Sequence, residues 1–124
     1  MITGLHHVGR LVKKLEKEVE FYESLGFKVA AEFAFDSAGA KAAMMKKDKS
    51  IVEIWQFKDE SHELAQMVKN HLAFTTDNLE QDIKKFLDEG YKIVIPIDKG
   101  KVVKRYAYLR DKNGNYVELC EPLD

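Results

Sequence analysis

Cysteine is almost absent from this sequence: Cys120 is the only one in 124 residues, so no disulfide can close within the chain. A reducing compartment is the expected setting. An imbalance of charge is also missing. Lys and Arg number 20 against 21 Asp and Glu, which leaves no broad field of one sign to hold nucleic acid or an anionic membrane, and neither is expected as a partner. No apolar run approaches the ~20 residues that a spanning helix needs. The first residues, Met1-Ile2-Thr3-Gly4-Leu5-His6, lack the basic segment and following apolar stretch of a secretory leader, so the expected location is the cytoplasm.

What the chain does contain is an internal repeat. Leu5-His6-His7-Val8 has a counterpart in Asn70-His71-Leu72-Ala73, and overlaying His7 on His71 puts Leu15 on Leu79, Glu16 on Glu80, Gly26 on Gly90 and Lys28 on Lys92. Further on, Ile51-Val52-Glu53-Ile54-Trp55 matches Tyr116-Val117-Glu118-Leu119-Cys120. The intervals from His7 to Glu53 and from His71 to Glu118 differ by a single residue. Each half therefore supplies one His near its start and one Glu near its end, and these four side chains are good ligands for a divalent metal. At this length the duplication lies inside one domain, read as a first module over about 1–57, a polar connector over about 58–70 and a second module over about 71–124.

Each module reads β-α-β-β-β. Residues 5–12 alternate as a strand with His7, Gly9 and Leu11 on one face. Leu15, Val19 and Tyr22 recur at helical spacing before Gly26, which is placed to end that helix. Strands follow over 27–35, 42–47 and 51–57. The connector is expected to hold a short helix from about Ser61, with His62 solvated. In the second module Asp77-Asn78-Leu79-Glu80 resembles a capping box, and Leu79, Ile83, Phe86 and Leu87 share a helical face that stops at Gly90. Strands are expected over 91–97 and 102–110, and an Asn113-Gly114 turn returns the chain into 116–120. Arg10 is a misfit, standing between Val8 and Val12 on the face that a helix should cover.

Several stretches taken in order point to a family: Leu5-His6-His7-Val8-Gly9, Phe21-Tyr22-Glu23-Ser24-Leu25-Gly26-Phe27, His71-Leu72-Ala73-Phe74, and Leu109-Arg110-Asp111-Lys112-Asn113-Gly114-Asn115-Tyr116-Val117-Glu118-Leu119. The chain resembles the vicinal oxygen chelate superfamily, which includes glyoxalase I, methylmalonyl-CoA epimerase, extradiol dioxygenases and the bleomycin resistance proteins. The resemblance implies an α+β fold in which two β-α-β-β-β modules form a curved mixed sheet around a metal-binding cleft. It also carries the ligand positions onto His7, Glu53, His71 and Glu118, the four that the repeat selects, and implies one divalent ion per site: Ni, Zn, Co, Mn or Fe. A homodimer is implied as well, with the quartet completed either within one chain or across two.

The implied activity is that of a metal-dependent, glyoxalase I-like lyase or isomerase acting on a small α-carbonyl substrate, such as a thiol adduct, through a metal-stabilised enediolate. Glu53 and Glu118 are the candidate bases. A second carboxylate in the quartet argues against an extradiol dioxygenase, which needs only two His and one carboxylate. By resemblance the epimerase has glutamine where this chain has Glu53. Leu11 and Phe57 stand where glutathione-dependent members carry an arginine and an asparagine, so the glutathione anchors are absent. Two rival functions are a resistance-type binding protein that sequesters a small molecule, and methylmalonyl-CoA-epimerase-like proton exchange.

Strand alternation puts Trp55 and Phe57 on the face of Glu53, and Tyr106 and Tyr108 on one face of their own strand, with Met45 as the counterpart in the first module. These five are read as walls of a substrate pocket, with core or interface packing as the competing role. The cluster Lys99, Lys101, Lys104 and Arg105 reads as a solvated edge, with contact to an anionic substrate tail as its rival. Cys120 shares the face of Glu118 and is read as a small buried thiol.

Overall fold

Two helices that end in the same way frame the structure, which is a computed structural model describing residues 1–123. Helix α1 (Leu15–Ser24) stops at Gly26 with φ 96°, and the helix after the connector stops at Gly90 with φ 97°. At both ends the amide two residues past the helix cap reaches back into the last turn, Phe27 to the Tyr22 carbonyl at 3.1 Å and Tyr91 to that of Phe86 at 3.0 Å. Glycine pays no steric penalty for this left-handed turn. The turn releases each chain directly into a strand.

The described chain divides into two compact units, one of His7–Asn70 and one of Met1–His6 together with the residues from His71 onward. The first unit holds the second half of β1 (Ile2–Leu11), α1, β2 (Lys28–Phe35), a 3-10 turn (Asp36–Ala38), β3 (Ala40–Lys47), β4 (Ser50–Phe57) and α2 (Glu63–Val68). Its strands lie in the order β2-β3-β4-β1. The second unit holds β5 (Leu72–Thr76), α3 (Leu79–Asp88), β6 (Lys92–Lys99), β7 (Arg105–Arg110) and β8 (Tyr116–Glu121). Its order is β5-β8-β7-β6. The fold is α+β, built from two β-α-β-β-β modules as expected.

The repeat extends to register. β1 pairs parallel with β4, placing Gly9 opposite Glu53, and β5 pairs parallel with β8, placing Ala73 opposite Glu118. In each unit the helix buries its apolar stripe on one face of the strands. Leu15 and Tyr22, with Val19, pack on Val12, Ala43, Met45 and Ile54; Leu79 and Ile83, with Phe86, pack on Ala107, Leu109, Val117 and Leu119. Each large side chain so buried stabilises the fold by about 1.5–3 kcal/mol. Leu87, expected on that stripe, is instead exposed.

Local differences from expectation have local causes. The cap of α3 is Asn78, whose side chain accepts the Gln81 amide at 3.1 Å, one residue later than the sequence pattern suggests. Helix α1 has no side-chain cap of its own, and the Leu15 amide donates instead to Gln56 Oε1 on β4 at 2.8 Å. The strand expected over 102–110 starts only at Arg105. Pro96 is accommodated because β6 is the last strand of its unit's sheet and breaks register there. Arg10 is explained by Tyr22, to whose hydroxyl it donates at 2.7 Å, so that its cation roofs the helix-side core instead of entering it.

The turn between β7 and β8 is tied by Asp111, whose Oδ1 accepts the Asn113 and Asn115 amides, each at 2.9 Å. The Asn115 amide is the main influence holding this carboxyl below its ordinary value, with Asn113 adding to it against a smaller penalty from burial. A carboxyl lowered in the folded state contributes stability above its unfolded pKa of about 3.9, and loses it as pH falls through the lower folded value. Asp111→Asn is therefore expected to be less stable than wild type at neutral pH. In urea denaturation as a function of pH, the difference should shrink steadily below about pH 4.

Candidate metal centre

The parallel pairings that set the sheet register also bring an imidazole beside each mid-strand carboxylate. His7 precedes Gly9 by two residues on β1, and Gly9 faces Glu53 on β4, so His7 and Glu53 emerge on the same face. His71 stands in the same relation to Ala73 and Glu118. Asn70, with φ 56°, turns the chain from the connector into His71; asparagine tolerates that left-handed conformation better than most residues.

The resulting pairs are nearly identical. His7 Nε2 lies 3.6 Å from Glu53 Oε1, and His71 Nε2 lies 3.3 Å from Glu118 Oε1. All four residues are buried, at 1%, 4%, 0% and 5% exposure for His7, Glu53, His71 and Glu118. Burying a carboxylate among Ile, Trp, Val and Leu is costly without a compensating charge or donor. The separations exceed the usual hydrogen-bond range of 2.7–3.2 Å and approach the spacing of two donors on a single ion. Metal–ligand bonds of about 2.0–2.1 Å put neighbouring donors about 2.8–3.4 Å apart at octahedral to tetrahedral angles. His71–Glu118 falls within that range and His7–Glu53 slightly beyond it, and both pairs fit a divalent cation in donor type and seclusion.

The surroundings of the two pairs differ. Trp55 donates its indole N–H to Glu53 Oε1 at 2.7 Å. It stands in an apolar cluster with Phe57, Ala40, Ala42, Ala65 and Val68, the last two from α2. The connector helix therefore covers the aromatic face of its own module, and His62, exposed as expected, also caps it by accepting the Leu64 amide at 3.0 Å. In the second unit the Tyr108 hydroxyl lies 3.4 Å from His71 Nε2, and its ring meets that of Tyr106 edge-on at 5.9 Å. Burial raises the Tyr106 phenol above its ordinary pKa, and the charges of Asp98 and Glu118 add to the effect. Cys120, at the position equivalent to Trp55, is fully buried.

One expected pocket residue is misplaced. Met45 points to the opposite face, into the core under α1, and Met44 is the residue paired across from Glu53. The run Ala42-Ala43-Met44-Met45 is apolar at every position, so alternation alone could not fix its phase. Among the expected edge cations, Arg105 is engaged within the fold. It holds Glu121 through Nε at 2.5 Å and Nη2 at 2.8 Å, and reaches Glu80 at 2.6 Å. Leu11 and Phe57, where glutathione anchors would stand, both belong to the Trp55 cluster.

Comparison with known proteins agrees with this layout. A family model described as Glyoxalase/Bleomycin resistance protein/Dioxygenase superfamily matches residues 4–119. No curated protein matches the sequence. Among solved structures, the chain is similar to the methylmalonyl-CoA epimerase of Mycobacterium tuberculosis, with a TM-score of 0.81 and 24% identity over 99% of this chain and 90% of that one. A variant of the Streptomyces coelicolor methylmalonyl-CoA epimerase in complex with 2-nitronate-propionyl-CoA gives a TM-score of 0.82 and 22% identity, covering 98% of this chain and 96% of that one. A hypothetical protein from Bacillus halodurans C-125 gives 0.78 and 22%, covering 97% and 94%. These likenesses establish the fold. Among the described residues no helix is long and apolar enough to cross a membrane.

A buried carboxylate kept for a cation is a liability without one. In chelator-treated protein, Glu118→Gln is expected to be at least as stable as wild type in urea denaturation, because the neutral isostere needs no countercharge. A loss of several kcal/mol would instead mark Glu118 as a structural residue.

Proposed function

Because the chain belongs to the Glyoxalase/Bleomycin resistance protein/Dioxygenase superfamily, we propose that His7, Glu53, His71 and Glu118 ligate one divalent metal ion. In this proposal the protein is a cytoplasmic, homodimeric enzyme of lyase or isomerase type that moves a proton at a carbon next to a carbonyl. The supporting observation is the recurrence of a buried imidazole–carboxylate pair at the same register in both modules, with donor spacings of 3.6 and 3.3 Å. Held by these four residues, such an ion would supply Lewis-acid stabilisation to negative charge on the substrate's oxygen. Either Glu53 or Glu118 takes up that proton, and the two histidines stay neutral as ligands. The buried setting keeps bulk water from competing for it.

For the substrate we favour a small α-carbonyl compound, or a thiol adduct of one, handled in the manner of glyoxalase I but without glutathione. The engagement of Leu11 and Phe57 in an apolar cluster supports that exclusion. Glu53, where the epimerases by resemblance carry glutamine, favours the glyoxalase side. A second reading is epimerase-like exchange on an acyl thioester, favoured by the likeness to methylmalonyl-CoA epimerases, one of them described in complex with methylmalonyl-CoA and NH4+.

Elemental analysis of untagged protein is the first test, beside Glu118→Gln and His7→Ala. About one transition-metal ion per quartet is expected in wild type and none in either variant. Solvent deuterium then separates the functions. Incorporation accompanied by net conversion of an α-ketoaldehyde–thiol adduct supports the lyase, and incorporation into a 2-methyl acyl thioester without net conversion supports the epimerase. Tight ligand binding that survives Glu118→Gln with no exchange at all would leave a sequestering protein and overturn the enzyme.

A further inference from the structure

The two modules repeat the candidate ligands, and Trp55 in the first stands where the second has Cys120. Its indole Nε1 donates to Glu53 Oε1 at 2.7 Å, and this is the same oxygen that lies 3.6 Å from His7 Nε2. The indole has little freedom. Its ring is stacked on Phe35 at 5.8 Å and 7°, stacked on Phe57 at 5.8 Å and 20°, and met edge-on by Phe33 at 5.3 Å. At 4% exposure no water competes for the donor.

A glutamate carboxylate turns about a broad, weakly restrained torsion, so fixing one oxygen beside the imidazole removes most of its orientational freedom before any ion arrives. An oxygen with two lone pairs can accept the indole N–H with one and serve a cation with the other. The equivalent position in the second module is Cys120, whose thiol is only a weak donor.

We propose that Trp55 is a positioning residue for the metal centre, orienting Glu53 so that Oε1 is presented to the ion together with His7 Nε2. This rests on the metal-ligand assignment made above. Donors behind a ligand of this kind are worth about 10–100-fold in metal affinity. The hydrogen bond, and not the bulk of the ring, carries that contribution.

Trp55 is the only tryptophan, so its indole N–H gives a single side-chain signal in a nitrogen-15 NMR spectrum. Zn2+, which is diamagnetic, serves as the probe. Zn2+ saturation of wild type should shift that signal, and Trp55→Phe, which keeps a ring in the stack, should bind Zn2+ about 10–100-fold more weakly in chelator competition. Phe33→Leu, which loosens the same stack but leaves the donor, should stay within about threefold of wild type. Equal affinity of Trp55→Phe and wild type, or an equal loss in Phe33→Leu, overturns the positioning role while the metal site stands. If Trp55→Phe fails to fold, wild type decides: an indole signal unmoved at Zn2+ saturation overturns the proposal, and a shifted one supports it. Failure of wild type to bind Zn2+ at all overturns the ligand assignment itself, and this inference with it.

Discussion

The parallel pairing of a module's first strand with its last is the constraint on which the rest of the structure depends. A hairpin cannot make that pairing. The chain must leave the first strand, cross over through a helix, lay down an antiparallel pair and return, and β-α-β-β-β is what this requirement looks like in sequence. The crossover helix covers one face and supplies its core, while the other face keeps the histidine and the glutamate. Register then settles the chemistry, since Gly9 opposite Glu53 and Ala73 opposite Glu118 place a side chain of minimal size across from each carboxylate. A one-residue slip would turn both carboxylates toward the helix.

Burial cost and function meet in those carboxylates. His7, Glu53 and Glu118 within their strands and His71 just before β5 are polar side chains with 5% exposure or less. Local sequence rules are broken at these positions, in the manner expected of sites kept for binding and not for stability. The fold compensates elsewhere, through two separate helix-side cores and through tying contacts such as those of Arg10 with Tyr22 and of Arg105 with Glu80 and Glu121.

Much of this was legible in the sequence because duplication acts as an internal control. A lone His or Glu carries little information, but His7 and Glu53 recur as His71 and Glu118 at nearly the same interval, and helix stops recur at Gly26 and Gly90. The misses share a physical origin, namely positions where local pattern is degenerate and long-range contact decides. Met44 and Met45 are equally apolar, so only the antiparallel register with β4 reveals which one faces Glu53. The partner of Arg10 lies on the following helix, and Arg105 is claimed by carboxylates distant in sequence. Trp55 was visible as an aromatic residue on the right face. Its role as a hydrogen-bond donor depended on the side-chain rotamer, which no pattern encodes.

The connector helix α2 has a consequence for stereochemistry. It lays Ala65 and Val68 on the aromatic face of the first module, whereas the corresponding face of the second carries the edge-on pair Tyr106 and Tyr108. A bare ion is achiral and indifferent to which half supplies which ligand, so near-symmetry suffices to hold it. A molecule with a stereocentre is not indifferent. On the proposed metal assignment, two modules alike in their ligands and unlike in their walls would give mirror-image substrates different surroundings, so handedness would enter through side chains that never touch the metal.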